Sequence, residues 1–117
     1  MNAIRTVLLS ALVVAALAAA PAQAAPTKLV GTVGPGFTIT LTKGGKKVKT
    51  LKPGKYAITI RDKSAAHNFH LRGPGMNKMT SVGAVTTKTW TVTLKKGTYR
   101  YVCDPHASSM KGSFKVA

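Results

Sequence analysis

The sequence predicts a single-domain, all-β sandwich. Five runs of alternating apolar and polar residues recur along the chain, glycine and proline signals separate them, and nothing after residue 24 has a helical period. Period-two alternation marks strands with one face buried and one in water.

In chain order, residues 29–33 form the first expected strand. Phe37, Ile39 and Leu41 then alternate with Thr38, Thr40 and Thr42, and Tyr56, Ile58 and Ile60 with Ala57, Thr59 and Arg61. Residues 68–71 are a short strand with His67 just before it, and residues 72–78 are the longest expected irregular loop. Trp90, Val92 and Leu94 alternate with Thr91 and Thr93. Tyr99, Tyr101 and Cys103 alternate with Arg100 and Val102, and Phe114 and Val116 flank Lys115. Gly34-Pro35-Gly36, Lys43-Gly44-Gly45, Pro53-Gly54, Gly73-Pro74-Gly75 and Lys96-Gly97 mark turns between them.

The first residues are expected to be a targeting segment. Arg5 supplies a positive start, residues 7–20 are almost wholly apolar, and Ala22-Gln23-Ala24 is a small-x-small cleavage site. Residues 1–24 are thus an expected signal peptide, and residues 25–117 one small domain. The apolar run is short for a membrane span, so the mature form is expected to be exported, to a periplasm or beyond, without a transmembrane segment.

Without Arg5, 17 basic residues face only Asp62 and Asp104, a net charge of +15. Two acids nearly exclude acid/base catalysis by paired carboxylates. No phosphate-binding loop, dinucleotide fingerprint or nucleophile elbow occurs, and no nucleic-acid motif accompanies the charge. The plain consequence of the lysines is a solvated surface. The functional one is an acidic partner: a redox protein with an acidic docking surface, or an anionic cell envelope. Self-repulsion favours a monomer.

Cys103 is the sole cysteine, so an oxidising compartment offers it no internal disulfide. A free thiol there is prone to oxidation, and metal ligation removes that hazard. Cys103-Asp104-Pro105-His106 is followed by Met110, and His67 lies upstream. Two imidazoles, a thiolate and a weak thioether are a mononuclear blue-copper ligand set. If Tyr99 and Tyr101 point inward, Cys103 does too, delivered from a strand end. His106 curls back across the turn that Pro105 favours, and Met110 is the expected axial ligand. His67 and His70 would face opposite sides of a strand. His67 is preferred, because the amide or backbone of Asn68 is placed to hydrogen-bond the sulfur. His70 is expected to be partly exposed, or to serve a secondary metal site. Zinc is the weaker occupant, since its sites seldom use thioethers.

Residues 97–106, with Met110-Lys111-Gly112-Ser113-Phe114, resemble the C-terminal copper loop of plastocyanin-like cupredoxins. The stretch from Pro53-Gly54 to His67-Asn68 is similar to the first-histidine region of that family. The resemblance implies a Greek-key β-sandwich and one type 1 copper ion on His67, Cys103, His106 and Met110. It also implies one-electron transfer, with His106 as the partly exposed exit. The Cys-x2-His-x3-Met spacing lies between the longer loops usual in plastocyanins and pseudoazurins and the shorter one of amicyanins. Ala66 stands where the family usually has proline, and lysine replaces the acidic patches of plastocyanins.

The expected function is an exported blue-copper electron-transfer protein cycling between Cu(II) and Cu(I). The alternative is a copper carrier or buffer with an open site that Met76 and Met79 join. Copper oxidases and nitrite reductases need further copper centres that three histidines do not supply, so the chain is not expected to be an enzyme.

Overall fold

The structure, a computed structural model, describes residues 11–15 and 24–117. The expected leader lies mostly outside the described residues. The strands are β1 (Thr27–Val33), β2 (Ile39–Lys43), β3 (Lys46–Lys47), β4 (Thr50–Leu51) and β5 (Gly54–Asp62), followed by β6 (His70–Gly73), β7 (Met76–Met79), β8 (Thr86–Leu94), β9 (Gly97–Val102) and β10 (Lys111–Val116). Among the described residues a single 3-10 turn, Asp104–His106, interrupts them.

The strands form two five-stranded sheets, ordered β3-β2-β1-β5-β8 and β4-β10-β9-β6-β7. Strand β1 runs parallel to β5 and β10 parallel to β4, and the remaining pairs are antiparallel. The chain passes repeatedly between the sheets, so β9 lies between β6 and β10 and β5 between β1 and β8. This is the expected β-sandwich.

The inward positions of the alternating runs make the core. Leu29, Val33, Leu41, Ile58, Ile60, Leu71 and Leu94 are buried with Phe69, Tyr99, Tyr101 and Phe114. Tyr101 stacks on Phe69 with centroids 5.5 Å apart, and Tyr99 on Phe114 at 5.2 Å. Two glycines make this aromatic layer possible: a Cβ at Gly73 would overlap the ring of Tyr99, and one at Gly112 the ring of Tyr101. The buried Tyr99 hydroxyl donates to the Lys95 carbonyl (3.0 Å) and accepts from the Lys95 amide (2.9 Å), which meets its polar requirement.

Two expectations need correction. Phe37 does not belong to the second strand. The β1–β2 ladder begins at Val33 opposite Ile39, and the Gly34 amide closes the intervening turn on the Thr38 carbonyl at 2.9 Å. Phe37 therefore sits on a loop beyond the sheet end, 71% exposed. Residues 72–78 are not an irregular loop either. They belong to a tight hairpin in which Gly73 pairs with Met76, leaving a two-residue Pro74-Gly75 turn. Proline followed by a glycine at φ 65° suits a type II turn. Strand β7 lies at the sheet edge and is mostly exposed, so it lacks the alternation that betrays a half-buried strand.

Candidate metal centre

The alternation of β9 carries directly into the site. Tyr99 and Tyr101 point inward, and Cys103, two residues on, is fully buried. Asp104 and Pro105 then open the 3-10 turn, which brings His106 back over the strand end. Backbone bonds close this loop: His106 N to Cys103 O (3.0 Å), Met110 N to His106 O (2.8 Å) and Cys103 N to Met110 O (3.0 Å). Met110 is thereby held, buried, at the start of β10.

His67 arrives from the other side, on the connection between β5 and β6. Asp62 Oδ1 accepts the Ser64 amide at 3.1 Å, Ser64 Oγ accepts the Ala66 amide at 3.1 Å, and the His67 amide reaches the Ser64 carbonyl at 3.4 Å. Thr80 pins the base of this turn: its hydroxyl donates to Asp62 Oδ2 (3.4 Å) and accepts the Phe69 amide (2.9 Å). Burial pushes the Asp62 carboxyl above its usual range, against the bonds from Ser64 and Thr80 and the charge of His67.

His67 Nδ1 and His106 Nδ1 lie 3.1 Å apart, and Cys103 Sγ is 3.7 Å from the first and 3.6 Å from the second. All three donor atoms fall within 4.8 Å of one another. Metal–nitrogen bonds of about 2.0–2.1 Å and a metal–thiolate bond of about 2.3 Å span separations of this size at one ion. The donors therefore fit copper chemically and in spacing. His67 and Cys103 are buried, whereas His106 is half-buried. Phe37 meets both imidazoles edge-on, with centroids 5.4 Å from His67 and 5.0 Å from His106.

Three side chains near the site depart from expectation. His70 is not partly exposed but buried, and among the described residues it joins no metal-binding cluster. Its Nδ1 donates to Asp104 at 2.8 Å and 3.0 Å, and its Nε2 lies 2.6 Å from Asn77 Oδ1 and 3.0 Å from Arg72 Nε. Asn68 does not turn its amide to the sulfur. Its Nδ2 donates to Asp104 Oδ2 at 2.7 Å, and its Oδ1 accepts the Asp104 amide at 2.8 Å. Asp104 was not singled out from the sequence, yet it ties the loop to β6. Partial burial pushes its carboxyl up, but the bonds from Asn68 and His70 and the charges of His70 and Arg72 outweigh that and hold it below the usual range. Its position beside Cys103, as one of two acids in the domain, was the available signal.

Residues 43–117 match the model of the copper binding proteins of the plastocyanin/azurin family. No curated protein matches the chain. Among solved structures, the chain is similar to rusticyanin from Thiobacillus ferrooxidans, at 26% identity and a TM-score of 0.53 over 77% of this chain and 76% of that one. It shares its fold with auracyanin from the photosynthetic bacterium Roseiflexus castenholzii, at 23% identity and a TM-score of 0.54 over 80% of this chain and 99% of that one.

Proposed function

Because this chain belongs to the plastocyanin/azurin family of copper-binding proteins, we propose that it carries single electrons between partner proteins on one copper ion held by His67, Cys103, His106 and Met110. The observation that carries this reading is the convergence of two imidazole nitrogens and one thiolate sulfur within 4.8 Å, from two separate connections of the sandwich. When bound, copper supplies a one-electron couple between a thiolate- and thioether-favouring Cu(I) and an imidazole-favouring Cu(II).

The protein side of that chemistry is rigidity and dryness. Cys103 is anchored at a strand end and His67 in a hydrogen-bonded turn, so neither donor needs to move between oxidation states. Burial of both keeps water out. It also supports electron transfer over an open metal-delivery site, in which donors must be reachable by the recipient. Met110, fixed by its backbone to His106 and Cys103, would supply the thioether donor in this reading. His106 is the half-exposed member of the cluster and thus the contact for a partner. The lysine-rich surface favours acidic partners. Export rests on the leader motif; no helix among the described residues is long and apolar enough to cross a membrane.

The test is one equivalent of Cu(II) added to the metal-free chain, with Cys103→Ser alongside. An intense visible thiolate-to-copper band, bleached by a mild reductant and absent from the variant, is the expected outcome. A folded wild-type chain that binds Cu(II) without that band would overturn the proposal.

A further inference from the structure

The strand that delivers Cys103 to the interior has a second face. On the outside of the same sheet, β9 exposes Arg100, β10 exposes Lys111 and Lys115, and β6 exposes Arg72. The register places Arg100 directly between Ser113 and Arg72, and Lys111 beside Val102. Clefts open on both sides of Arg100, one lined also by Arg72 and Thr98, the other by Lys111 and Ser113. The acid at this edge, Asp104, is already engaged by His70 and Asn68.

Like charges directly opposite one another across strands cost stability. Arg72 and Arg100 hold this arrangement on the one sheet that carries the thiolate. On the other sheet Lys28, Lys55 and Arg61 are each paired with alanine or threonine, and the like-charge pair there, Lys43 opposite Lys46, is of lysines flanking a hairpin turn. Guanidinium groups present planar forks that match carboxylates two bonds at a time, which lysine does not. The arginine row is also close to the redox centre: Arg100 is three residues before Cys103, and Val102, between them, is half-buried on this outer face.

We propose that the outer face of β6, β9 and β10, centred on Arg100, is the docking surface for a carboxylate-rich redox protein. The proposal rests on the electron-carrier reading above. Carboxylates of the partner occupy the two clefts, offset the charge of Arg100, and bring the partner to the back of the strand that ends in Cys103, a second approach to the site beside that through His106. Attraction to an anionic envelope would draw on total charge and would not single out this face.

The probe is a reduced, carboxylate-rich [2Fe–2S] ferredoxin, mixed anaerobically with the Cu(II)-loaded chain while the visible band is followed. One electron leaves the ferredoxin cluster and reduces Cu(II) to Cu(I). Arg100→Glu is compared with Lys55→Glu, which makes the same charge change on the opposite sheet. At low salt Arg100→Glu should slow the second-order step about tenfold and Lys55→Glu less than about twofold, with the difference vanishing at high salt. Equal slowing by both variants would reduce the effect to net charge and overturn the proposal, as would no slowing by Arg100→Glu. Loss of retention on phosphatidylglycerol vesicles with an unchanged ferredoxin rate would assign the face to the envelope and also overturn it. Should Arg100→Glu fail to fold, Arg100→Gln carries the comparison, with about threefold slowing expected. Uncharged hydroquinone should reduce all copper-loaded forms equally. Its failure with the wild type, or a missing band, would instead count against the electron-carrier reading.

Discussion

Nδ1 of His70 lies 2.8 Å from Oδ1 of Asp104, the residue that follows Cys103. This bond joins a buried strand position to the loop that carries Cys103, His106 and Met110, so a side chain outside the donor cluster helps to set where the donors stand. His70→Leu removes the donor to Asp104 and leaves Asn77 without its imidazole partner. The metal-free chain should lose about 1–3 kcal/mol in urea unfolding. The thiolate-to-copper band should survive with a shifted maximum, because Cys103 and both donor imidazoles remain. A band lost as completely as in Cys103→Ser would show instead that His70 is a ligand.

Asp104 also confers an acid dependence with a definite sign. Its carboxyl is held below the ordinary 3.8 in the folded chain, so the folded state prefers it ionised. The stability this contributes is present above the unfolded value and is lost as pH falls from there through the folded value. Asp62, raised by burial, acts oppositely: its protonation on acidification favours the folded state. Thermal melts of the metal-free chain between pH 5 and about 2 should therefore fall more steeply for the wild type than for Asp104→Asn. Parallel curves would rule out the Asp104 linkage.

Gly112 lies against Tyr101, two residues before Cys103. A Cβ there overlaps the end of the Tyr101 ring, in a layer where that ring already stacks on Phe69. Gly112→Ala should destabilise the fold by about 1–3 kcal/mol, as overpacking does. It should also move the visible band, since the displaced ring adjoins the strand end that holds the sulfur. An unchanged unfolding midpoint would show that Tyr101 has room to yield.

Much of this centre was legible because it is local. The Tyr99, Tyr101, Cys103 alternation reports a strand buried on one face, and the Cys-x2-His-x3-Met spacing reports a loop that folds back on itself. The structure brings His67 rather than His70 beside Cys103 and His106, held by the Asp62–Ser64 turn rather than by strand parity. The fate of His70 was hidden because its partner, Asp104, is 34 residues away, and only the pairing of β6 with β9 brings them together. The β7 strand was hidden because an exposed edge needs no apolar alternation. Phe37 misled for the opposite reason. It continues the Ile39, Leu41 period in sequence, but the turn closed by Gly34 and Thr38 ends the sheet before reaching it.

That displaced phenylalanine yields the last prediction. A residue 71% exposed contributes little to the core, yet its ring edge covers both donor imidazoles. Phe37→Ala should change folding stability by no more than about 0.5 kcal/mol, because little buried area is lost. It should open His106 and the rim of His67 to water and solutes. Copper extraction by excess EDTA, read as decay of the thiolate-to-copper band, should then accelerate several-fold. Phe37→Leu restores apolar bulk without the aromatic edge and should return most of the protection if the ring acts as cover. If Leu is as permeable as Ala, the edge-on contact with the imidazoles is what protects the metal. Extraction at the wild-type rate from Phe37→Ala would remove Phe37 from the site altogether, leaving burial of Cys103 and His67 as the barrier to exchange.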